Sequence, residues 1–218
     1  MSRLFHDNHR ALQDQFDTRR IADRIEMIAA KTELDEQATG FIASRDMFFL
    51  STINTQGQPT VSYKGGEPGF VRVLDPKTIV FPSYDGNGMF LSMGNIAATS
   101  LVGMLFIDFE TPHRVRVQGK ASVSATDPLL AEYKDAELIV RVAITDTWVN
   151  CPRYIHQYQR VSQSRYAPTA ACETPLAEWK RIDMIQDALP AKDVGRAEKA
   201  GGLITIEEWV GNVAKGKG

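Results

Sequence analysis

A chain of 218 residues with 43% hydrophobic and 24% charged side chains carries enough apolar material for one sizeable core, which excludes a disordered polymer. A formal net charge of -2 excludes a general attraction to nucleic acid or anionic lipid, so any basic site has to be local. No apolar run approaches the roughly 20 residues needed to cross a bilayer, and Met1-Ser2-Arg3-Leu4-Phe5-His6-Asp7 lacks the uninterrupted apolar stretch of a secretory peptide. The expected setting is cytoplasmic, with small-molecule partners rather than nucleic acid or membrane.

Over residues 7–30, Leu12, Phe16, Ile21, Ile25 and Ile28 recur at helical spacing, which predicts one long amphipathic helix with a single buried stripe. Thr32 followed by Asp35 predicts the N-cap and acidic first turn of a second, short helix through Leu34, Ala38, Phe41 and Ile42, ending before Asp46. From 47 to 149 the texture becomes β-prone. Short runs at 48–53, 60–63, 70–74 and 78–81, separated by turn residues, predict an antiparallel meander. Asp85-Gly86-Asn87-Gly88 and a short helix near 89–98 interrupt it, and long strands resume at 101–108, 113–124 and 138–148. Strands without a helix between each pair point to a barrel or sandwich rather than a doubly wound sheet. Further on, Leu176, Trp179, Ile182, Ile185 and Leu189 predict a helix over 175–189. Thr205 with Glu208 forms a capping box for a last helix near Trp209 and Val213, and residues 216–218 are expected to fray.

Chemistry concentrates in three places. In Ser62-Tyr63-Lys64-Gly65-Gly66-Glu67-Pro68-Gly69-Phe70 a strand runs into a glycine-rich turn, where Lys64 could neutralise a phosphate and Ser62 could donate to it, although a plain surface hairpin has the same composition. Arg114 and Arg116 flank Val115, so strand alternation sends both guanidinium groups and Gln118 to one side; they either grip an anion or face solvent. Arg72 poses the same choice. Tyr84, Asn87 and Asn95 could place polar groups and a helix N-terminus beside a polar heterocycle, or serve only as a loop and its cap. His6, His9, His113 and His156 have no metal-ligand spacing, and no Gly-x-Ser-x-Gly, phosphate-loop or Gly-x-Gly-x-x-Gly pattern occurs, so no metal site and no common hydrolase or Rossmann site is expected. Cys151 and Cys172 lack a Cys-x-x-Cys spacing and are expected as two reduced thiols.

In their order these pieces resemble the pyridoxamine 5'-phosphate oxidase-like FMN-binding split-barrel family. The likeness is to a subgroup of candidate FMN-dependent proteins in which a Gly-Gly-x-Pro-Gly-Phe strand start, here Gly65 to Phe70, precedes a Gly-Asn segment, a short helix and an Arg-Val-x-Gly strand. The counterparts are Gly86-Asn87, Asn95 and Arg116-Val117-Gln118-Gly119, and Asn150-Cys151-Pro152-Arg153 is similar to the Cys-Pro-Lys after that subgroup's last barrel strand. The resemblance implies a mainly β chain with flanking helices: N-terminal helices at 1–45 packing on the barrel, a split antiparallel β-barrel at 46–150, and a C-terminal helical extension at 151–218, together one compact domain. It also implies a homodimer with FMN at the subunit interface, bound by Ser62, Lys64, Gly65, Tyr84, Asn87 and Asn95, with Arg114 and Arg116 from the later strand. The implied function is an FMN-dependent oxidoreductase with no assigned catalytic side chain; the alternative is a non-catalytic protein holding or sensing flavin or haem on the same barrel. Two departures stand out: the oxidase's C-terminal Arg-Leu-x-Pro pattern is absent, and Arg153 replaces the subgroup's Lys.

Overall fold

Alternation along the strands decides the architecture. In a computed structural model describing residues 2–217, seven strands form one antiparallel sheet: β1 (Met47–Ile53), β2 (Pro59–Gly65), β3 (Arg72–Asp75), β4 (Thr78–Tyr84), β5 (Leu101–Asp108), β6 (His113–Ser124) and β7 (Ala136–Val149). Gly218, the end of the segment expected to fray, lies outside the described residues. Every second side chain enters the core: Phe48 and Leu50 from β1, Met104 and Phe106 from β5, Val115 and Val117 from β6, Val140 and Val142 from β7.

The strand order is β2-β1-β5-β6-β7-β4-β3. The expected meander is therefore broken twice, because β2 does not pair with β3, nor β4 with β5; β4 instead runs antiparallel to β7. β1 and β4 stand four places apart in this order, which in a flat sheet would separate them by roughly 19 Å. Yet the Phe48 ring, on β1, meets the Phe81 ring, on β4, with centroids 5.0 Å apart, edge to face. The sheet thus curls until its two ends share one core without hydrogen bonding to each other, which is a split β-barrel.

Helix α4 (Leu91–Thr99) sends Met93 and Ile96 into that core, and α3 (Glu36–Ala43) adds Ile42. The N-cap of α3 is Asp35, whose carboxylate accepts from the Ala38 N–H, not Thr32. The single helix expected over 7–30 is two, α1 (Asp7–Gln15) and α2 (Arg19–Ala29). Asp17 adopts a left-handed conformation (φ 50°), and the Thr18 N–H turns back to the Gln13 carbonyl, so the chain reverses where the apolar periodicity continues. Neither helix buries a residue, contrary to the expected buried stripe.

The chain divides into two compact units, meeting at Val161 and Ser162. In the second, the helix expected over 175–189 is replaced by two 3-10 turns, Glu178–Arg181 and Asp183–Ala188. Ile182 between them is extended and bridges Ile204, with Asp183 donating to the Ile204 carbonyl and Ile204 to that of Arg181, so tertiary pairing overrides the helical spacing. The unit is completed by α5 (Arg196–Lys199) and α6 (Ile206–Ala214); α6 carries the expected capping box between Thr205 and Glu208. At its centre the Lys180 ammonium meets the Asp193 carboxylate at 2.6 Å, both almost fully buried.

Candidate functional site

The register of β1 against β2 sets Thr60 beside Thr52, Ser62 beside Leu50 and Lys64 beside Phe48. Those β1 residues face the core, so Thr60, Ser62 and Lys64 also point inward, but from an edge strand where the core gives way to a cleft. The cleft holds about 400 Å³ at the open seam of the barrel. Its walls are Thr60, Ser62 and Lys64 of β2, Ser83 and Tyr84 of β4, the loop through Asn87, the first turn of α4, and Glu137 of β7.

The electrostatics are asymmetric. The Lys64 ammonium has no hydrogen-bond or ion-pair partner among the described residues, and burial without a counter-charge holds it below the usual lysine range. Ser62 Oγ lies 3.1 Å from Ser92 Oγ in the first turn of α4, tying the edge strand to the helix. That helix begins at Phe90, which is left-handed (φ 47°) and offers no capping side chain, and its first residues Leu91, Ser92 and Met93 line the cleft. Burial, reinforced by the neighbouring Tyr133, Glu67 and Asp135, pushes the Tyr84 phenol up to about 12, leaving it a neutral hydrogen-bond donor at physiological pH. Asn87 shapes the loop by accepting from the Met89 N–H at 3.1 Å.

Four of the residues singled out in the sequence, Ser62, Lys64, Tyr84 and Asn87, therefore line one cleft. Asn95 is buried beneath it, donating to Thr52 Oγ1 at 3.1 Å and so locking α4 onto β1. Gly65 closes β2 opposite Met47 and does not line the cleft. Arg114 and Arg116 alternate with the core residues Val115 and Val117 and stand on the outer face of the sheet; Arg114 donates to the Cys151 carbonyl at 3.0 Å, while Arg116 is exposed. Ser92, Ser83, Glu137 and Thr60 were not anticipated. Ser92 had a legible signal, a hydroxyl in the first turn of a short helix following a glycine loop, whereas Glu137 reaches the cleft only through the non-local pairing of β7 with β4.

The open seam of the split barrel thus brings the Lys64 ammonium and the first turn of a helix without a side-chain cap to one cleft. The chain belongs to the pyridoxamine 5'-phosphate oxidase family, whose sequence profile matches residues 34–159. No curated protein matches the chain. Solved structures similar to it include a candidate pyridoxamine 5'-phosphate oxidase from Lactobacillus delbrueckii, 23% identical over 54% of this chain and 95% of that one, with a TM-score of 0.45. HupZ from Group A Streptococcus is 16% identical over 51% of this chain and 89% of that one, with a TM-score of 0.41. An FMN-binding protein from Syntrophomonas wolfei is 11% identical over 64% and 97%, with a TM-score of 0.41.

Proposed function

We propose that the protein is an FMN-dependent oxidoreductase whose cofactor phosphate is seated between Lys64 and the first turn of α4. The observation that carries this reading is the half-buried Lys64 ammonium, which has no ion-pair partner among the described residues and faces a cleft it shares with a helix N-terminus that lacks a side-chain cap. A phosphate would satisfy both, and Ser62 and Ser92 supply hydroxyl donors beside it. Tyr84 and Asn87 would offer polar groups to the ring system, while Asn95 and Gly65 would act by holding α4 and the end of β2 in place. The cleft volume falls within the range of small-molecule sites. Bound FMN would supply electron and hydride exchange, with the side chains binding, orienting and excluding water. In this reading the cofactor lies at the interface of a homodimer, where Arg114 and Arg116 on the outer face of one protomer would approach the flavin held by the other. Cys151 and Cys172 are both exposed. Among the described residues no helix is long and apolar enough to cross a membrane.

The test is an absorption scan of purified protein and a titration of apo-protein with FMN, followed by quenching of flavin fluorescence. Wild type is expected to bind FMN, and Lys64→Met to bind it about ten- to a hundredfold more weakly, as loss of a charge-assisted hydrogen bond predicts. The same substitution should raise the melting temperature of the apo-protein, because the fold penalises the ammonium until an anion arrives. A protein that ignores FMN refutes the cofactor, a Soret band would put haem in its place, and unchanged affinity in Lys64→Met removes the phosphate from this seat.

A further inference from the structure

We infer that Phe90 is a specificity residue of the cleft, packing its ring against the flat, apolar part of the cofactor's ring system while Lys64 takes the phosphate. The inference rests on the FMN reading and names the side chain that selects the ring. Among the described residues four that are not glycine have a positive φ: Asp17, Phe90, Ser100 and Asp135. Two are aspartates, whose short polar side chains visit the left-handed region more readily than most, and the Ser100 hydroxyl donates to the Thr99 carbonyl at 2.7 Å. Phe90, at φ 47° and ψ 27°, has no polar atom with which to compensate, and its bulk crowds the backbone in that conformation.

No core packing compensates either: Phe90 belongs to neither hydrophobic cluster and is 49% exposed. Glycine would serve the backbone as well, as Gly88 does two residues earlier in the same loop at φ 75°. The backbone is held on both sides, since Asn87 accepts from the Met89 N–H and the Phe90 carbonyl accepts from the Gly94 N–H at 2.7 Å. The loop therefore sets a bulky ring, at a cost in strain, in the wall of the cleft. Its neighbours in that wall are of one kind. Met89 and Leu91 line the same cleft and are each more than half exposed, and the Asn87 amide donates to the Met89 sulfur at 3.3 Å, which steers the thioether. Three consecutive apolar side chains in a cleft that also holds the Lys64 ammonium fit a ligand that is anionic at one end and flat and apolar at the other. Aromatic rings and methionine sulfur both pack well on such a flat ring, and the dimethylbenzene edge of a flavin has this character.

The experiment measures the affinities of the full chain for FMN and for riboflavin, which keeps the ring and lacks the phosphate, by quenching of flavin fluorescence, with melting of each apo-protein alongside. The proteins are wild type, Phe90→Gly, Phe90→Tyr and Lys64→Met. Phe90→Gly should weaken both flavins by about ten- to thirtyfold, the loss of one aromatic contact and the apolar area it covers. Its apo-protein should melt within about 4 °C of wild type, because relief of the left-handed strain offsets the lost half-burial of the ring. Phe90→Tyr should keep both affinities within about threefold, and Lys64→Met should weaken FMN but not riboflavin. Riboflavin bound as tightly by Phe90→Gly as by wild type overturns the inference, whatever happens to FMN, and so does a loss in Phe90→Tyr equal to that in Phe90→Gly. A fall in melting beyond about 4 °C in Phe90→Gly would make the ring a packing element and overturn it too. Wild type that binds FMN but not riboflavin overturns it as well, since the ring would then add nothing. In all these cases FMN binding by wild type leaves the cofactor reading standing, whereas wild type that binds neither flavin overturns both.

Discussion

Gly119 sits at the bulge where β6 and β7 change register, and it ends the Arg-Val-x-Gly motif. A β-carbon built there would lie 2.5 Å from the Ala143 carbonyl oxygen and 2.8 Å from Val142 Cγ1. Ordinary contact begins near 3.4 Å, so the carbonyl would have to retreat by 0.9 Å. It has no room to do so, because β7 is held on its other side by β4 and β6 by β5. Gly119→Ala should therefore behave as an overpacked core substitution costing about 2–3 kcal/mol, and a chain of this length should lose roughly 5–10 °C of melting temperature. Gly103 provides the control, since a β-carbon there meets only Ser51 Cβ at 3.7 Å. Gly103→Ala should be neutral or stabilise by up to about 1 kcal/mol through the unfolded chain. Thermal melting followed by far-ultraviolet circular dichroism measures both. If Gly119→Ala melts within a degree of wild type, or Gly103→Ala loses as much, the motif glycine is not there for close approach of the strands.

Two further outcomes follow from buried charges. Asp127 is almost fully buried, and hydrogen bonds from the Arg141 guanidinium, the larger cause, and from the Leu129 amide hold its carboxyl below the usual 3.8. A carboxylate depressed in the fold stabilises it above pH 3.8, and this is lost as pH falls through the lower folded value. Asp127→Asn should thus cost about 1.5–3 kcal/mol at pH 7. The gap between variant and wild-type urea midpoints should close below pH 3.8, and a gap constant down to pH 2.5, well below the ordinary carboxylate range, would exclude the ionic origin. In the second unit, Asp193→Ala removes the carboxylate that pairs with both the buried Lys180 ammonium and the Arg196 guanidinium, a loss of about 3–5 kcal/mol. Trypsin should then cut within 162–217 far faster than in wild type while the first unit persists; equal cleavage would mean the pair does not hold that unit.

Much of the barrel was legible because strand alternation is local. β5 and β6 begin and end where the apolar-polar pattern places them, and Val115 and Val117 face the core as that pattern requires. The pairing of β4 with β7 was not, since it joins segments some sixty residues apart through side chains that read the same in any order of strands. Helical spacing misled twice for separate reasons. At Asp17 a left-handed residue reverses the chain without disturbing the apolar count, and at Ile182 a bridge to Ile204 outcompetes the helix.

The site divides along the same line. Ser62 and Lys64 could be placed together because they share one strand face, and Tyr84 and Asn87 because they flank one loop. Alternation also set Arg114 and Arg116 on one side, but which side depends on the register of β6 against β5, where Arg116 falls opposite Leu105 and Val117 opposite the core residue Met104. Within one chain, then, the basic groups are split between an inward cleft and an outward sheet face. A phosphate seated on Lys64 cannot meet Arg116 of its own barrel without crossing the core, so any role for that arginine at the cofactor requires a second protomer. On the proposed reading, with FMN at a homodimer interface, the weight carried by Arg116 in FMN binding should rise and fall with the dimer.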